Sequence, residues 1–518
     1  MMGNLSVNSE LRTVAPSVPV IGDRQSGDEL ISRIALDDAP QAQSDLCLVL
    51  DGLHAAPPDG ETYFRLLERV RVPVAVVAAG LASAYLNQPL PLTGPEEVLF
   101  QQTVALWLKM ARAYAHCAEN DSPGNDDAGL AQRVALILQR SIEHSGQAIV
   151  EHQRARRELP PGLWRDLHGH YASAEDWGVA TQPIPDREAV GGTTTCTATY
   201  LASILGEIAG AYRLTLGEQT LVRRWAIAWS PLVSLHRVEV ADSPQPGIVD
   251  LLQDTALRPI GGGQLRRLDT SRLALQISLT REQLLQKIAP VELGLGDDCT
   301  PGQCLRLLDR LSGCWSSAHA QRQFKRRVSS GSARVCSGFD NIHYAISGRE
   351  FEQPEDALAY SQVLQIRLQP LAHVVDRWQV ANTSANGFRL LRGGAGRKMA
   401  HGQLLALCPH DGERFLLAQT TWLRQERSGG LAAGIRVLPG IPAAIAARRV
   451  DAGQGIFQRA FLLPAVAALA AEQSLVIPPG WFASGREIEL HTDGRRRVRL
   501  RQLLDDGPDF ARVSFAVC

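Results

Sequence analysis

With 518 residues, 45% of them hydrophobic, the chain is long enough for several domains with buried cores. Its 53 lysines and arginines balance 54 acids, and a net charge of −1 excludes the basic field needed to hold long nucleic acid. Nine scattered cysteines form no disulfide framework, and the longest apolar run, Pro73 to Leu86, is too short for a bilayer span. The first 30 residues also lack the apolar core of a signal peptide, which predicts a cytoplasmic protein without membrane insertion.

Residues 1–44, rich in Ser, Asp, Pro and Gln, read as a disordered or loosely docked arm. Residues 45–320 carry helical signals. Thr93-Gly-Pro-Glu96 combines an N-cap, a first-turn proline and a capping-box glutamate ahead of Leu99, Phe100 and Trp107. Further helices are predicted near 127–156, 160–178 and 196–231. Thr280 with Gln283 reads as a second capping box, opening a helix stopped by Pro290. Thr300-Pro-Gly-Gln303 is a third, and its helix sets Cys304, Leu308, Leu311 and Trp315 on one face. That helix leads toward a local basic cluster, Arg322, Lys325, Arg326 and Arg327.

After about residue 332 the period turns strand-like. Phe415–Leu423 and Leu431–Leu438 are rich in β-formers and flank a Ser-Gly-Gly turn. Asp493-Gly494 between Arg486–His491 and Arg496–Arg501 is a hairpin signal. The fold class is α+β and multidomain: an all-α amino-terminal region, a small antiparallel β-barrel at 321–445 and a β-rich module at 446–518. Whether that module closes on itself or extends the first barrel is open at this stage.

Two features in this half carry chemistry. Arg322 and Arg326 stand at R-x-x-x-R spacing, and Asn382-Thr-Ser-Ala-Asn-Gly387 reads N-x-S-x-x-G between two strands. Arginine forks onto phosphate oxygens or a guanine edge and stacks on purine faces. Asn and Ser add short hydrogen-bonding groups, and Gly lets backbone come close. Together they suit an anionic, planar ligand.

These two motifs resemble the two-part signature of PilZ domains, six-stranded barrels that bind cyclic di-GMP. Gly402–Leu407, Leu417–Arg424 and Gly434–Leu438 are similar to the strands that follow in such barrels. Tyr63–Arg71, Leu163–His168 and Ser474–Gly480 extend the resemblance to a long proteobacterial type with a helical amino-terminal region. The spacer before Asn382 is longer than in a minimal PilZ barrel, which places an insertion at about 347–375. The resemblance implies that Arg322, Arg326 and the adjacent Arg327 contact phosphate and guanine. It further implies that Asn382 and Ser384 read polar groups and Gly387 permits the turn. No other cofactor is implied. Loss of one bidentate arginine is expected to cost about 1.5–3 kcal/mol. A hinge at 322–332 would tie binding to domain orientation, and so to a protein partner in motility, pilus, polysaccharide or biofilm control. The competing reading is an interaction scaffold whose barrel binds no nucleotide.

Other motifs read as structure. Cys299, Cys304 and Cys314 lack a second close pair for zinc. His168-Gly-His170, Glu143-His144 and Glu151-His152 lack metalloprotease spacing and read as surface groups. No G-x-S-x-G elbow or comparable constellation is present, so an enzyme is the least favoured class.

Overall fold

Capping and periodicity set the helical elements. The computed structural model describes residues 21–120, 128–186, 192–238, 247–257, 263–316, 327–354, 374–385, 387–451, 456–492 and 494–518. Its contacts divide the chain into two units.

The first unit holds residues 1–84, 98–148 and 165–200. It draws on α1 (Arg24–Ser32), α2 (Ala39–Ala55), α3 (Gly60–Tyr85), α4 (Gly94–Asn120), α5 (Ala128–Arg154), α6 (Leu163–Asp176) and α7 (Cys196–Ile208). A two-residue ladder joins β1 (Ile184–Pro185) to β2 (Thr193–Thr194). On α3 the buried residues Tyr63, Leu66, Leu67, Val70, Val74, Val77 and Leu81 recur at three and four, one apolar stripe. At the start of α4, in the stretch 85–97 that belongs to the second unit, the Thr93 backbone N–H donates to Glu96 at 2.5 Å, as the capping box requires.

Two expectations are corrected here. The segment 24–44 is not an arm: it holds α1, capped by Asp23, and the start of α2, with Ile31 and Ala42 buried. The histidine pairs are not surface groups either. His144 is 3% exposed, stacked near Trp107 and Tyr114 at 5.7 and 5.5 Å. His168 is fully buried, its Nδ1 2.7 Å from Tyr200 Oη. Glu151 and His152 are buried too. Helical spacing had placed these polar groups on apolar stripes, where aromatic and hydroxyl neighbours accommodate them.

The second unit holds residues 85–97, 149–164 and 201–518. Its helices are α8 (Leu216–Trp229), α9 (Ser271–Leu285) and α10 (Pro301–Trp315). A small sheet interrupts the region expected to be all-α: β3 (Ser234–Val238), β4 (Ile248–Asp250) and β5 (Leu265–Asp269), in the order β3-β5-β4. The Thr300 box is present as expected, and Cys304, Leu308, Leu311 and Trp315 are buried. The Thr280 box is not. Thr280 lies inside α9, buried, accepting a hydrogen bond from Gln276 at 3.1 Å.

The middle barrel follows. Its strands are β6 (Arg327–Val328), β7 (Ser332–Ser337), β8 (Asp376–Ser384), β9 (Gly387–Arg392), β10 (Leu404–Pro409), β11 (Leu416–Gln425) and β12 (Leu431–Val437). Antiparallel ladders run from β7 through β10, β11, β12, β9 and β8 back to β7, while β6 adds to the far half of β8. Trp378, Val380, Leu390, Leu405, Leu407, Leu423 and Ile435 fill the interior. The extra sequence between β7 and β8 includes α11 (Phe339–Ser347).

The carboxy-terminal module closes on itself. β13 (Ala443–Arg449), β14 (Gln458–Leu463), β15 (Ser474–Ile477), β16 (Glu487–His491), β17 (Arg495–Asp506) and β18 (Ala511–Val517) form a six-stranded barrel. β16 and β17 are the hairpin anticipated around Asp493-Gly494.

Candidate ligand site

The N-x-S-x-x-G segment lies across the β8–β9 connection. Ser384 pairs with Gly387, Thr383 with Phe388 and Asn382 with Arg389, after a register shift at Val380/Asn382. Such a bulge bends the strand and re-aims its side chains. Ser384 Oγ donates to the Gly387 carbonyl at 3.2 Å. Gly387 serves close approach more than turn geometry: a Cβ there would collide with the Ile435 carbonyl oxygen of β12. Gly434 plays a similar part, since a Cβ would collide with the Trp422 indole.

Asn382, Ser384 and Gly387 come together on one wall of a cleft of about 1060 Å³, contained in the second unit. Trp422 and Gln419 of β11, Arg436 of β12 and Asp506 of β17 line the same cleft. The rest of the lining includes helical segments: Arg154 and Arg156 at the end of α5, Arg213, the start of α8, and Arg310 on α10. Six arginines (154, 156, 213, 310, 389 and 436) thus face two acids, Glu218 and Asp506. The size suits a small-molecule pocket, and the charge suits an anion.

Not all six are free to bind. Arg154 pairs with Glu151 at 3.0 Å, and Arg436 with Asp505 at 2.6 Å. Arg156 donates to the carbonyls of Tyr212 and Leu214 at 2.8 and 2.6 Å. Burial pulls its pKa down to about 10, still well above neutrality. Arg389 has its Nε buried without a hydrogen-bond partner. Burial, then the neighbouring Arg213, lower the pKa of Arg310 against the pull of Glu218. His401 lines the cleft as a neutral ring: burial, helped by Arg156 and Arg310, drives its pKa to about 3.

Arg327 is exposed on β6, its backbone paired with Thr383, one strand from Asn382. Arg322 and Arg326 lie outside the described residues. Sequence reasoning missed the helical arginines. Arg213 and Arg310 stand far from Asn382 in the chain, and no local pattern links them to it. Arg389, two residues beyond Gly387 on a strand, shares the motif's neighbourhood and could have been found by strand alternation. Among the described residues no His, Cys, Asp or Glu cluster could hold a metal ion.

Comparison with known proteins agrees with this architecture in three places. Residues 25–242 match the domain described as cyclic-di-GMP receptor FimW, N-terminal domain. Residues 255–365 match the middle PilZ domain of FimW, and residues 443–518 its C-terminal β-barrel domain. The chain belongs to this long PilZ-domain family. A relative, the cyclic-di-GMP receptor FimW of Pseudomonas aeruginosa, is 25% identical, with 86% of this chain and 83% of the relative aligned. The middle match ends short of Asn382, but β7 within it pairs with β8 and β10 beyond it, so one barrel carries both. No helix among the described residues is long and apolar enough to cross a membrane.

Proposed function

We propose that the protein is a cytoplasmic cyclic di-GMP receptor, not an enzyme, and that the cleft at the β8–β9 connection is its binding site. The observation that carries this is the meeting of Asn382, Ser384 and Gly387 in a cleft lined by six arginines. Two phosphates need cations, two guanines need stacking planes and edge readers, and the cleft offers both kinds of group. Trp422 supplies an aromatic face. Asn382 and Ser384 supply short polar groups at the rim of the barrel. The segment that carries Arg322 and Arg326 enters the barrel at Arg327, whose strand adjoins Thr383. Both arginines lie just before Arg327 in the sequence, and we assign them to the phosphates and guanines of the ligand. The relative's description as a cyclic-di-GMP receptor supports the same ligand here. Binding would change domain orientation about the 322–332 segment and present an altered surface to a protein partner in motility, pilus, polysaccharide or biofilm control.

Calorimetric titration of the purified full chain tests this, with GTP and cyclic di-AMP as comparison ligands. Saturable, selective binding of cyclic di-GMP is expected. Arg322→Ala and Arg326→Ala should each weaken it by about tenfold to a hundredfold, the worth of a charge-assisted hydrogen bond. Absence of heat and of any thermal shift at high ligand concentration would refute the receptor reading and favour an interaction scaffold.

A further inference from the structure

The arginines of the helical lining ask for an explanation that fold stability does not give. Arg213 closes a short 3-10 turn, Ala211–Arg213, entered through Gly210 at φ +75°. Arg156 grips the carbonyls on either side of it, Tyr212 and Leu214, while Tyr212 Oη donates to the Arg157 carbonyl at 2.7 Å. The backbone around residue 213 is therefore held at three points, yet the Arg213 side chain itself is exposed in the cleft. Arg310 projects from α10, a helix anchored by Leu307, Leu308, Leu311 and by Trp315, whose Nε1 donates to Leu205 at 2.9 Å. Neither arginine has an ion pair within 4 Å among the described residues.

The nearest acid does not resolve the matter. The Glu218 carboxylate is drawn into the α8 capping box, accepting from the Thr215 N–H at 2.8 Å. Burial, and after it the neighbouring Arg213, lower the pKa of Arg310 against the pull of Glu218, so the two guanidinium groups lie near one another on the cleft lining. Rigidly presented, unpaired guanidinium groups on a cleft wall match a phosphate.

We infer that Arg213 and Arg310 form a second anion-binding wall, gripping one phosphate of the ligand across the cleft from the Asn382 turn. This rests on the receptor reading and extends it: the barrel holds one side of a cyclic dinucleotide and the helical segments the other. A ligand carrying two phosphodiesters on opposite sides of a ring reaches both walls, whereas a linear mononucleotide reaches one. The second wall is then a source of selectivity as well as affinity. It also ties helices α8 and α10 to the barrel through the ligand.

The test is titration of the full chain and its Arg213→Ala, Arg310→Ala and Arg310→Lys variants with cyclic di-GMP and with GTP, at two salt concentrations. Each alanine change should weaken cyclic di-GMP binding about tenfold or more, lessen its salt dependence and narrow its preference over GTP. Arg310→Lys should recover part of the loss, and the melting temperature of the unliganded variants should stay near that of the parent. Should Arg310→Ala fail to fold, the exposed Arg213 carries the test alone. Unchanged affinity and salt dependence in the alanine variants would overturn the second wall while leaving the receptor reading intact. Absence of binding by the parent protein would overturn both.

Discussion

At the scale of single residues, polar groups buried on apolar stripes govern how the protein responds to acid. His144 sits 3% exposed between Trp107 and Tyr114, with neither ring nitrogen hydrogen-bonded. Burial holds its pKa down to about 4, against an ordinary value of 6.5, although Glu143 pulls the other way. Below pH 6.5 the unfolded chain takes up a proton at this ring, and the folded chain does not until about pH 4. Stability present at neutral pH is therefore lost as the pH falls through that window, by about 2 kcal/mol between pH 7 and 5 from this ring alone. His144→Phe keeps a flat ring and removes the proton site. Its denaturant midpoint should fall less than that of the parent over the same pH interval. Parallel pH profiles would show that the ring titrates normally. The same scale shows what sequence could and could not disclose. Asn382, Ser384 and Gly387 were legible as a candidate site because they lie close together in the chain. The need for Gly387 was misread, because the crowding Ile435 carbonyl belongs to a strand some 50 residues on. Arg213 and Arg310 reach the cleft only through tertiary packing, and nothing local marks them.

Elements were read well where two signals agreed and badly where they competed. Thr300 and Thr280 both begin a Thr-x-x-Gln box. Thr300 is followed by Pro301, which fits the first helical position and blocks a helix arriving from upstream, and the box forms. Thr280 instead falls on a stripe with Leu273, Ile277 and Leu284, at steps of four, three and four, all buried. Burial of that stripe outweighs a cap, so the helix runs straight through. Thr300→Ala should accordingly destabilise the protein by about 1 kcal/mol while Thr300→Ser changes little, since only the side-chain oxygen serves the cap. Equal denaturation midpoints for Thr300→Ala and the parent would mean that α10 is held by its apolar face alone. The small β3-β5-β4 sheet escaped notice for a related reason. Its strands are three to five residues long, and Leu265-Arg-Arg-Leu-Asp sets its leucines three apart, a helix-like step that shows no strand alternation.

Across the second unit, the continuous apolar strands show how the two barrels are joined. A strand on a one-sided barrel should alternate, yet Leu404-Leu-Ala-Leu-Cys408 is buried throughout, as are Leu475-Val-Ile477. The alternate residues go to different cores. Leu405 and Leu407 fill the middle barrel, and Leu475 and Ile477 fill the carboxy-terminal one. Leu404, Ala406, Leu417, Phe461, Leu463, Val476 and Phe510 meet outside both, in a shared cluster completed by Ile342 of α11. Polar ties border it: Leu404 N–H donates to Asp509 at 2.9 Å, and Gln419 reaches the Asp506 carbonyl at 2.8 Å. Arg436, on the cleft wall, is held by Asp505 of β17. The carboxy-terminal barrel therefore buttresses the wall on which the ligand is proposed to sit. Removing the fully buried Phe461 ring should cost about 3–5 kcal/mol. Because the cluster draws on both barrels, Phe461→Ala should raise hydrogen exchange at Leu405 and Leu407 as well as at Leu475 and Ile477. Exchange rising in the carboxy-terminal barrel alone would mean that the two open independently, and the buttress would lose its physical basis. Exchange rising in both makes the wall at Arg436 only as firm as the barrel behind it, so the same variant should also weaken the ligand.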